Sequence, residues 1–483
     1  MASVSPSTFV GKAIKFGTDG WRGVIAADFT FERVGRVAAL AAQVLEETYG
    51  GNGSKTVIVG YDRRFLSPDF ARYAAESIAA AGYEVKLSEC FAPTPAFSWA
   101  AFDQKALGAI VITASHNPAA YNGLKIKSAL GGSVPPEVTE KVEAKLDQDV
   151  PKSEQAGSIT AFDPWPSYCK ALRSMVDIEA IRQAVDDGKL TIFSEVMHGA
   201  AASGIGRLLE REINEIDSEA DPLFAGGAPE PLPRYIPKLF KAIEENTASG
   251  TTVGLIFDGD SDRIAGMDGK ATFLSSQVLI PILMEHLTKR RGMTGEVVKT
   301  LSGSNLFVEL AKRYDLPLYE TPIGYKYIAD RMLDADVLIG GEESGGIGYG
   351  HHIPERDALL SALYLLEAVV QSGKDFGELN ESLREQCGFT AEYDRIDLPL
   401  ANMEVRAKLL EALESDRPTE VSGKQVDNCI TVDGYKLNLE DNSWLLIRFS
   451  GTEPVLRLYS EAASIERVHE ILGWAKEWAN SVG

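Results

Sequence analysis

A repeated local pattern constrains the fold of this chain more than any other feature of its sequence. Short runs rich in Val and Ile are each followed by a polar or glycine-rich turn, and several then continue with helical spacing. Runs of this kind are typical of buried strands in β/α units on largely parallel sheets. The runs are TVIVG (56–60), ALGAIVIT (106–113), LTIFSEVM (190–197), EVVKTLSG (296–303) and DVLIG (336–340).

The C-terminal part of the chain has a different character. Apolar strands are predicted at WLLIRF (444–449) and VLRLYSEA (455–462), and a helix is predicted near 464–480. Ser464 has the side chain of a suitable N-cap for that helix. We therefore expect a small α+β unit at this end.

Length and polar joints set the expected domain count. At roughly 150 residues per domain, a chain of 483 residues makes about three domains or four smaller ones. Polar or glycine-containing joints occur at 147–167, near 267–273 and at 372–389. The fold class is therefore α/β, with three related mixed-sheet domains and a small C-terminal α+β domain. The expected boundaries are 1–160, 161–270, 271–385 and 386–483.

Charge and cysteine content exclude several classes of protein. The chain has 70 acidic and 48 basic residues, a net charge of −22. This charge opposes broad contact with nucleic acid or with an anionic membrane, but a few local cations can still bind a small anion. The cysteines are far apart, and no apolar run reaches the roughly 20 residues of a membrane span. We expect free thiols and a cytoplasmic protein. The cysteines are Cys90, Cys169, Cys387 and Cys429.

The segment TASHNPAAYNGLKIK (113–127) carries the first candidate chemistry. It places Ser115 and His116 in a turn after a predicted strand, where α/β sheets commonly bind ligands. A serine there can be a nucleophile or a phosphate carrier, and Lys125 or Lys127 can donate or accept a proton. The alternative is an ordinary surface turn.

The segment GLIFDGDSDRIAGMD (254–268) places Asp258, Asp260 and Asp262 on a tight loop between two apolar runs. Carboxylates so close together repel one another, and a hard cation such as Mg²⁺ relieves that repulsion. An EF-hand is excluded, because its glycine and glutamate positions hold Arg263 and Gly269. The alternative is a solvated acidic turn.

Two further segments suggest binding of sugar and phosphate. In GGEESGGIGYGHHIPERDA (340–358), Glu342, Glu343 and Ser344 can bind vicinal hydroxyls, while His351 and His352 are expected to be solvated or structural. In RFSGTEPVLRLYSE (448–461), arginines flank hydroxyls in a glycine turn, an arrangement that can hold phosphate, although an ordinary hairpin is the alternative. The residues of that turn are Arg448, Ser450, Gly451, Thr452 and Arg457.

Together with FGTDGWRG (16–23), which contains Arg22, these motifs resemble those of the α-D-phosphohexomutase superfamily, the phosphoglucomutases and phosphomannomutases. The motifs TASHNP, DGDSDR, GEESGG and SGTEP follow FGTDGWRG in the family's order and cover nearly the whole chain. The resemblance implies four domains around a central cleft, three of them related α/β units.

The resemblance also implies roles for individual residues. Ser115 would be phosphorylated and would complete an Mg²⁺ site with Asp258, Asp260 and Asp262. Lys125 would transfer a proton, and Arg263 would lie near the phosphoryl group. Glu343 and Ser344 would bind sugar hydroxyls, and Arg448, Ser450, Gly451, Thr452 and Arg457 would bind the phosphate that is not reacting. Arg22 and His116 would be further catalytic residues, and Arg64 a substrate-binding one.

The implied function is interconversion of glucose 1-phosphate and glucose 6-phosphate, with glucose 1,6-bisphosphate as activator and intermediate. Two departures matter: Phe449 replaces a proline that stiffens the phosphate loop in some members, and Gly346 replaces a histidine common in mannose- and aminosugar-type members. Glucose is therefore the expected sugar, and hexose phosphates are the expected partners of a monomer or homodimer.

Other functions remain open at this stage. A glucose-1,6-bisphosphate synthase, with a donor such as fructose 1,6-bisphosphate, shares the first half-reaction, and a phosphomannomutase differs in its sugar. A haloacid-dehalogenase-type phosphatase is disfavoured, because Asp262 occupies the position where Thr or Val is expected. A non-catalytic sugar-phosphate sensor would not need Ser115 together with the acidic loop.

Overall fold

The computed structural model describes residues 12–17, 19–150, 152–449 and 455–482. The chain forms two compact units. The first contains Met1–Leu274 and Gly345–Phe376, and the second contains Ser275–Ser344 and Gly377–Gly483. Three sheets lie in α/β surroundings and the fourth is an antiparallel C-terminal sheet, as the fold class predicts.

Each predicted apolar run coincides with a strand or overlaps one, and further strands lie between them. They are β1 (Phe16–Gly17), β2 (Gly20–Val24), β3 (Thr56–Tyr61), β4 (Glu84–Ser88), β5 (Gly108–Ile112), β6 (Tyr121–Ser128), β7 (Ile159–Phe162), β8 (Leu190–Glu195), β9 (Asn214–Ile216), β10 (Thr251–Phe257), β11 (Ile264–Met267), β12 (Phe273–Leu274), β13 (Glu296–Thr300), β14 (Leu318–Thr321), β15 (Val337–Gly341), β16 (Ile347–Gly348), β17 (Glu392–Pro399), β18 (Glu420–Val421), β19 (Lys424–Ile430), β20 (Tyr435–Leu439), β21 (Trp444–Phe449) and β22 (Val455–Ala462).

The helices follow the strands in the order that β/α units require. They are α1 (Phe31–Tyr49), α2 (Ser67–Ala80), α3 (Thr94–Asp103), α4 (Pro136–Lys145), α5 (Trp165–Arg173), α6 (Ile178–Asp186), α7 (Gly204–Leu209), α8 (Pro237–Glu244), α9 (Ser276–Glu285), α10 (Asn305–Tyr314), α11 (Tyr325–Asp334), α12 (Ala358–Ser372), α13 (Phe376–Cys387), α14 (Met403–Ser415) and α15 (Ile465–Val482). Among the helices in the described part of the chain, none has the length and apolar character of a membrane span.

The first unit contains two mixed sheets. One has the strand order β1-β2-β6-β5-β3-β4-β7, in which β5, β3, β4 and β7 run parallel. The apolar faces of α1 and α2 pack on it through buried residues such as Val37, Leu40 and Phe70. The other has the order β12-β11-β10-β8-β9, and β12 pairs with β11, so this sheet continues past residue 270.

In the second unit, β14, β13 and β15 run parallel, and the C-terminal sheet is antiparallel in the order β17-β22-β21-β20-β19-β18. The strands predicted at 444–449 and 455–462 are confirmed as β21 and β22. The hydroxyl of Ser464 accepts a hydrogen bond from the N–H of Arg467 at 3.3 Å, which confirms the predicted N-cap of α15. Leu413, Leu458 and Leu472 belong to the core between the helices and this sheet.

Candidate functional site

Ser115 lies in a buried, tightly turned loop directly after β5. Its φ is 53°, in the left-handed region that a residue with a side chain rarely adopts. Its backbone N–H donates to Thr113 Oγ1 at 2.9 Å, and its hydroxyl donates to Asp258 Oδ2 at 3.1 Å. His116 Nδ1 lies 3.3 Å from the same hydroxyl. The first sheet therefore brings the serine to the acidic loop of the second sheet.

Arg64 donates hydrogen bonds to the backbone of this turn. Its Nη2 donates to the carbonyls of Ser115 and Asn117 at 2.5 and 2.6 Å, and its Nη1 donates to those of Pro118 and Tyr121 at 3.1 and 3.2 Å. The side chain is also only 2% exposed. The donors of Arg64 are thus engaged by backbone carbonyls of the serine loop, and its substrate-binding role stays a prediction.

Asp258, Asp260 and Asp262 lie on the loop between β10 and β11 and are fully buried. Each offers one carboxylate oxygen such that the three oxygens lie within 4.8 Å of one another. Asp258 Oδ1 accepts hydrogen bonds from the N–H groups of Asp262 and Arg263, both at 3.1 Å, which fixes the turn. The three carboxylates form a cluster that can bind a metal ion.

Two cations hold the outer oxygens of this cluster. Lys125 on β6 places its Nζ 2.8 Å from both Asp260 Oδ2 and Asp262 Oδ2, and 2.7 Å from Asp19 Oδ2. Arg356 Nη2 lies 2.7 Å from Asp262 Oδ2 and 2.5 Å from Asp19 Oδ2. Positive and negative groups thus alternate from the serine sheet to the acidic loop.

The net charge and the free carboxylate oxygens of this acidic centre are suited to a divalent cation. Five carboxylates face three cations in the hydrogen-bonded cluster, and Arg263 Nε lies 3.9 Å from Asp262 Oδ1, which leaves an excess of one negative charge. Oδ1 of Asp260 and Oδ1 of Asp262 are buried and have no hydrogen-bond partner. Buried carboxylate oxygens without a donor are costly, and a hard ion such as Mg²⁺ would satisfy them. The cluster consists of Asp19, Asp258, Asp260, Asp262 and Glu355 with Lys125, Lys127 and Arg356.

The pKa values show how unevenly this charge is shared. Burial, and then the charges of Asp262 and Asp260, raise the pKa of Asp258 well above its usual range. Burial also raises the pKa of Asp260, but Lys125 and the hydroxyl of Thr94 outweigh it and lower the pKa overall. Burial lowers the pKa of Lys125, but the carboxylates around it outweigh burial and raise the pKa above its usual value. The carboxylates around Lys125 therefore favour its protonated, positively charged form.

Arg22, Arg263 and His116 form the remaining polar surroundings of Ser115. Arg22 Nη1 donates to Asn117 Oδ1 at 2.5 Å, and Arg22 and Arg263 are both partly exposed, unlike Arg64. The charge of Arg263, followed by burial and the charge of Arg22, lowers the pKa of His116 well below its usual value. A neutral imidazole and two partly exposed guanidinium groups suit a negatively charged group on the serine.

Several residues of the centre were not singled out by the sequence. Asp19 lies in FGTDGWRG beside Arg22, and Glu355 and Arg356 lie in PERD, after the histidine pair. Lys127 contacts both Asp19 and Glu355. The alternating charges of the segment PERD are the sequence signal that could have identified Glu355 and Arg356.

The histidine pair itself is structural, as expected. The ring of His352 stacks on Trp99, with 5.4 Å between ring centroids, and its Nε2 lies 3.1 Å from Asp357 Oδ2. His351 Nε2 lies 2.7 Å from the hydroxyl of Tyr364. Both imidazoles therefore have packing and hydrogen-bonding roles within the first unit.

The second unit carries the predicted sugar- and phosphate-binding residues. Glu343 follows β15, and its Oε2 accepts a hydrogen bond from Ser302 Oγ at 2.5 Å. Ser344 is partly exposed. After burial, the charge of Glu343 is the largest cause that raises the pKa of Tyr459, on β22, to about 12. The carboxylate of Glu343 thus lies close to the C-terminal sheet.

Arg448 on β21 lies directly opposite Arg457 on β22. Like charges in opposed positions destabilise a sheet, and an anion between them would relieve the repulsion. Arg448 Nε lies 3.0 Å from Asp433 Oδ1, whereas Arg457 Nε is 4.0 Å from Asp397 Oδ1. The other predicted phosphate-binding residues, Ser450, Gly451 and Thr452, lie outside the described residues.

Family models match almost the entire chain. The phosphoglucomutase/phosphomannomutase alpha/beta/alpha domain I matches residues 13–152, domain II matches 166–271, domain III matches 275–387 and the C-terminal domain matches 400–473. The chain belongs to this family, within the α-D-phosphohexomutase superfamily. It is thus an enzyme, an intramolecular phosphotransferase that acts on hexose phosphates.

The names of individual relatives refer to different sugars. A phosphoglucomutase/phosphomannomutase of Thermococcus kodakarensis is 28% identical over 95% of this chain and 96% of its own length. A phosphoglucosamine mutase of Carboxydothermus hydrogenoformans is 28% identical over 95% of this chain and 97% of its own. The crystal structure of a Thermus thermophilus protein assigned as a phosphomannomutase is 33% identical, with a TM-score of 0.84, and the match covers 98% of this chain and 100% of that one.

Proposed function

We propose that this enzyme interconverts glucose 1-phosphate and glucose 6-phosphate, with a phosphoryl group carried on Ser115 and glucose 1,6-bisphosphate as the intermediate. The observation that carries the proposal is the hydroxyl of Ser115, 3.1 Å from Asp258 in a cluster that has unpartnered carboxylate oxygens. A hydroxyl beside a metal-competent acidic cluster is suited to accept and donate a phosphoryl group.

In the proposed cycle, the bond between phosphorus and Ser115 Oγ breaks as a bond forms to a free hydroxyl oxygen of the hexose monophosphate. Asp258, Asp260 and Asp262 would hold Mg²⁺ together with an oxygen of the phosphoserine, and the ion would offset charge that develops on the phosphoryl group. The partly exposed guanidinium groups of Arg263 and Arg22 would offset the same negative charge. Arg64 keeps the serine loop in its turned conformation during transfer.

The hydroxyl proton needs a carrier, and Lys125 is the residue expected to provide one. Its ammonium group contacts three carboxylates. These contacts favour the protonated form, which can give a proton to a leaving oxygen. Acceptance of a proton requires that one of the contacting carboxylates first takes a proton from the amine. The role of Lys125 therefore stays a prediction, as does a catalytic role for His116. The cytoplasmic location of the protein and its monomeric or dimeric state also stay predictions.

The bisphosphate must turn before its second phosphate returns to Ser115. We assign the phosphate that is not reacting to Arg448 and Arg457, because these like charges lie opposite each other and the Arg457 Nε is 4.0 Å from the carboxylate of Asp397. Glu343 and Ser344 would bind sugar hydroxyls. The glycine at position 346, in place of histidine, supports glucose over the mannose and glucosamine phosphates that the names of relatives suggest.

Phosphorus NMR of the purified enzyme tests this function directly. Glucose 1-phosphate, mannose 1-phosphate and glucosamine 1-phosphate are each supplied with Mg²⁺ and a trace of glucose 1,6-bisphosphate. We expect the fastest conversion to the 6-phosphate for glucose, by roughly tenfold or more if one hydrogen bond to a buried polar group is lost in the others. Faster conversion of glucosamine or mannose phosphate would reassign the sugar.

A second sample distinguishes the mutase from a bisphosphate synthase. It contains fructose 1,6-bisphosphate and glucose 6-phosphate. Under the mutase proposal, glucose 1,6-bisphosphate stays at catalytic levels. Its stoichiometric accumulation, with little conversion between the two glucose monophosphates, would establish the synthase instead.

A further inference from the structure

The short loop 301–303 after β13 is held by side chains from three directions. Lys436 Nζ donates to the carbonyl of Leu301 at 2.7 Å, and Lys299 Nζ donates to that of Gly303 at 2.8 Å. Gln277 Nε2 donates to the carbonyl of Ser302 at 2.7 Å. Each carbonyl of the loop thus has a fixed donor, so the loop has little freedom to move.

The lysines that hold this loop are expensive to bury. Lys299 and Lys436 share the carboxylate of Glu320, at 2.8 and 3.7 Å, and both are nearly inaccessible to solvent. Burial, and then the charge of Lys299, lowers the pKa of Lys436 to about 7. Two buried lysine side chains that share one carboxylate cost stability. An arrangement that costs stability and immobilises a loop points to a function for that loop.

The side chain in the middle of the loop is directed at the predicted sugar-binding carboxylate. Ser302 is fully buried, and its hydroxyl donates to Glu343 Oε2 at 2.5 Å. Thr300 Oγ1 lies 3.1 Å from the same hydroxyl. A short hydrogen bond to a carboxylate is among the stronger ones in proteins, and it restrains rotation of the carboxylate group of Glu343.

We propose that Ser302 is the positioning residue that makes Glu343 selective for one arrangement of sugar hydroxyls. The proposal rests on the proposed function, in which Glu343 binds those hydroxyls. A carboxylate that rotates can accept from hydroxyls in several positions, whereas a fixed carboxylate accepts from one. Lys436 belongs to β20 of the C-terminal sheet, so the sheet that carries Arg448 also holds the loop that orients Glu343.

A matched pair of variants tests the proposal. Ser302→Ala removes the hydrogen bond to Glu343. Ser304→Ala is the control, because Ser304 is equally buried but its hydroxyl accepts from the N–H of Leu306 at the start of α10. For Ser302→Ala we expect KM for glucose 1-phosphate to rise about tenfold, kcat to stay within about twofold, and the preference for glucose over mannose 1-phosphate to fall about tenfold. For Ser304→Ala we expect lower thermal stability and an unchanged preference.

Two further variants keep the test decisive. Ser302→Cys keeps the packing but offers a weak donor, and we expect it to change the preference in the same direction as alanine. Ser302→Thr keeps the hydroxyl, and we expect it to retain most of the preference. If the preference instead falls equally in the Ser302 and Ser304 variants, the loop is merely structural and the proposal is overturned.

A double-mutant cycle with Glu343→Gln separates this proposal from the proposed function. We expect Ser302→Ala to add little to Glu343→Gln, because both act through the same carboxylate. If Glu343→Gln changes the preference and Ser302→Ala does not, the positioning role alone is overturned. If Glu343→Gln leaves the preference unchanged, the sugar-binding role of Glu343 is wrong and the positioning role is overturned with it.

Discussion

The acidic centre of the first unit and the arginine pair of the second unit differ in how their charged side chains are paired. In the centre, buried carboxylates and cations alternate at hydrogen-bonding distance, with Lys125 in contact with three carboxylates. In the C-terminal sheet, Arg448 and Arg457 lie opposite each other on neighbouring strands, with Arg448 Nε 3.0 Å from Asp433 Oδ1 and Arg457 Nε 4.0 Å from Asp397 Oδ1. The ion pairs of the first region are buried, and those of the second are partly exposed.

The difference matches the ions that each region is proposed to hold. A resident divalent cation needs a fixed set of oxygens, and the buried carboxylates of the centre provide them. A substrate phosphate must enter and leave in every cycle. Arginines whose ion pairs are partly exposed can bind it without a buried ion pair that would have to break.

The largest expected effect lies in the centre. Ser115→Ala removes the proposed phosphoryl carrier, and we expect turnover to fall by roughly 10,000-fold or more. Ser98→Ala is the control, since Ser98 is equally buried in α3 and should leave turnover intact. Peptide mass spectrometry of the wild type should find phosphate on Ser115. Full activity in Ser115→Ala would disprove the assignment.

The metal cluster gives the next effect. Asp260→Asn keeps the volume but removes one negative charge, and we expect a roughly 1,000-fold loss of turnover, several kcal/mol of lost charge stabilisation. EDTA treatment of the wild type should give a similar loss that added Mg²⁺ reverses. The control is Asp268→Asn, a buried acid on the adjoining β11–β12 turn. A wild type that keeps its rate in EDTA would show the cluster to be an acidic turn only.

Stability should distinguish the two regions most clearly. Arg356→Met removes a buried cation that Asp19 and Asp262 share with Lys125, and we expect a loss of roughly 3 kcal/mol in the free energy of unfolding. Arg457→Met removes one of two opposed like charges, and we expect a change of less than about 1 kcal/mol together with a KM for hexose phosphate raised about tenfold. Urea unfolding and steady-state kinetics measure both. Equal destabilisation by the two variants would remove the distinction between the regions.

The smallest expected effect is a pH dependence in the second unit. The pKa of Lys436 is lowered to about 7, so as pH falls the unfolded chain binds this proton before the folded chain does. The contribution of Lys436 to stability is therefore most favourable above pH ~10.4 and is lost as pH falls towards 7. As pH falls from 9.5 to 7.5, the stability of Lys436→Met should rise by roughly 2–2.5 kcal/mol relative to that of the wild type. Parallel pH profiles of the two proteins in urea unfolding would contradict this.

Local patterns were enough to predict the strands and the residues that stand at their ends. Ser115 and Asp258 follow apolar runs of two different sheets, and the ends of such strands are where α/β sheets commonly bind ligands. The roles of individual cations were harder to predict, because Arg64 looks the same in sequence whether it faces a substrate or four backbone carbonyls. Pairs such as Asp19 with Arg356 are 337 residues apart, and no local spacing records them.

The first unit is discontinuous, which has a consequence for synthesis on the ribosome. Its chain leaves at Leu274 and returns at Gly345, and the returning segment carries Arg356 and then Asp357, which caps α12 through the N–H of Leu360. Asp258, Asp260 and Asp262 therefore emerge about a hundred residues before one of the cations that neutralise them. The nascent acidic loop cannot reach its final charge balance until segment 275–344 of the second unit and the returning segment up to Arg356 have been translated, so the first unit cannot complete its folding before then.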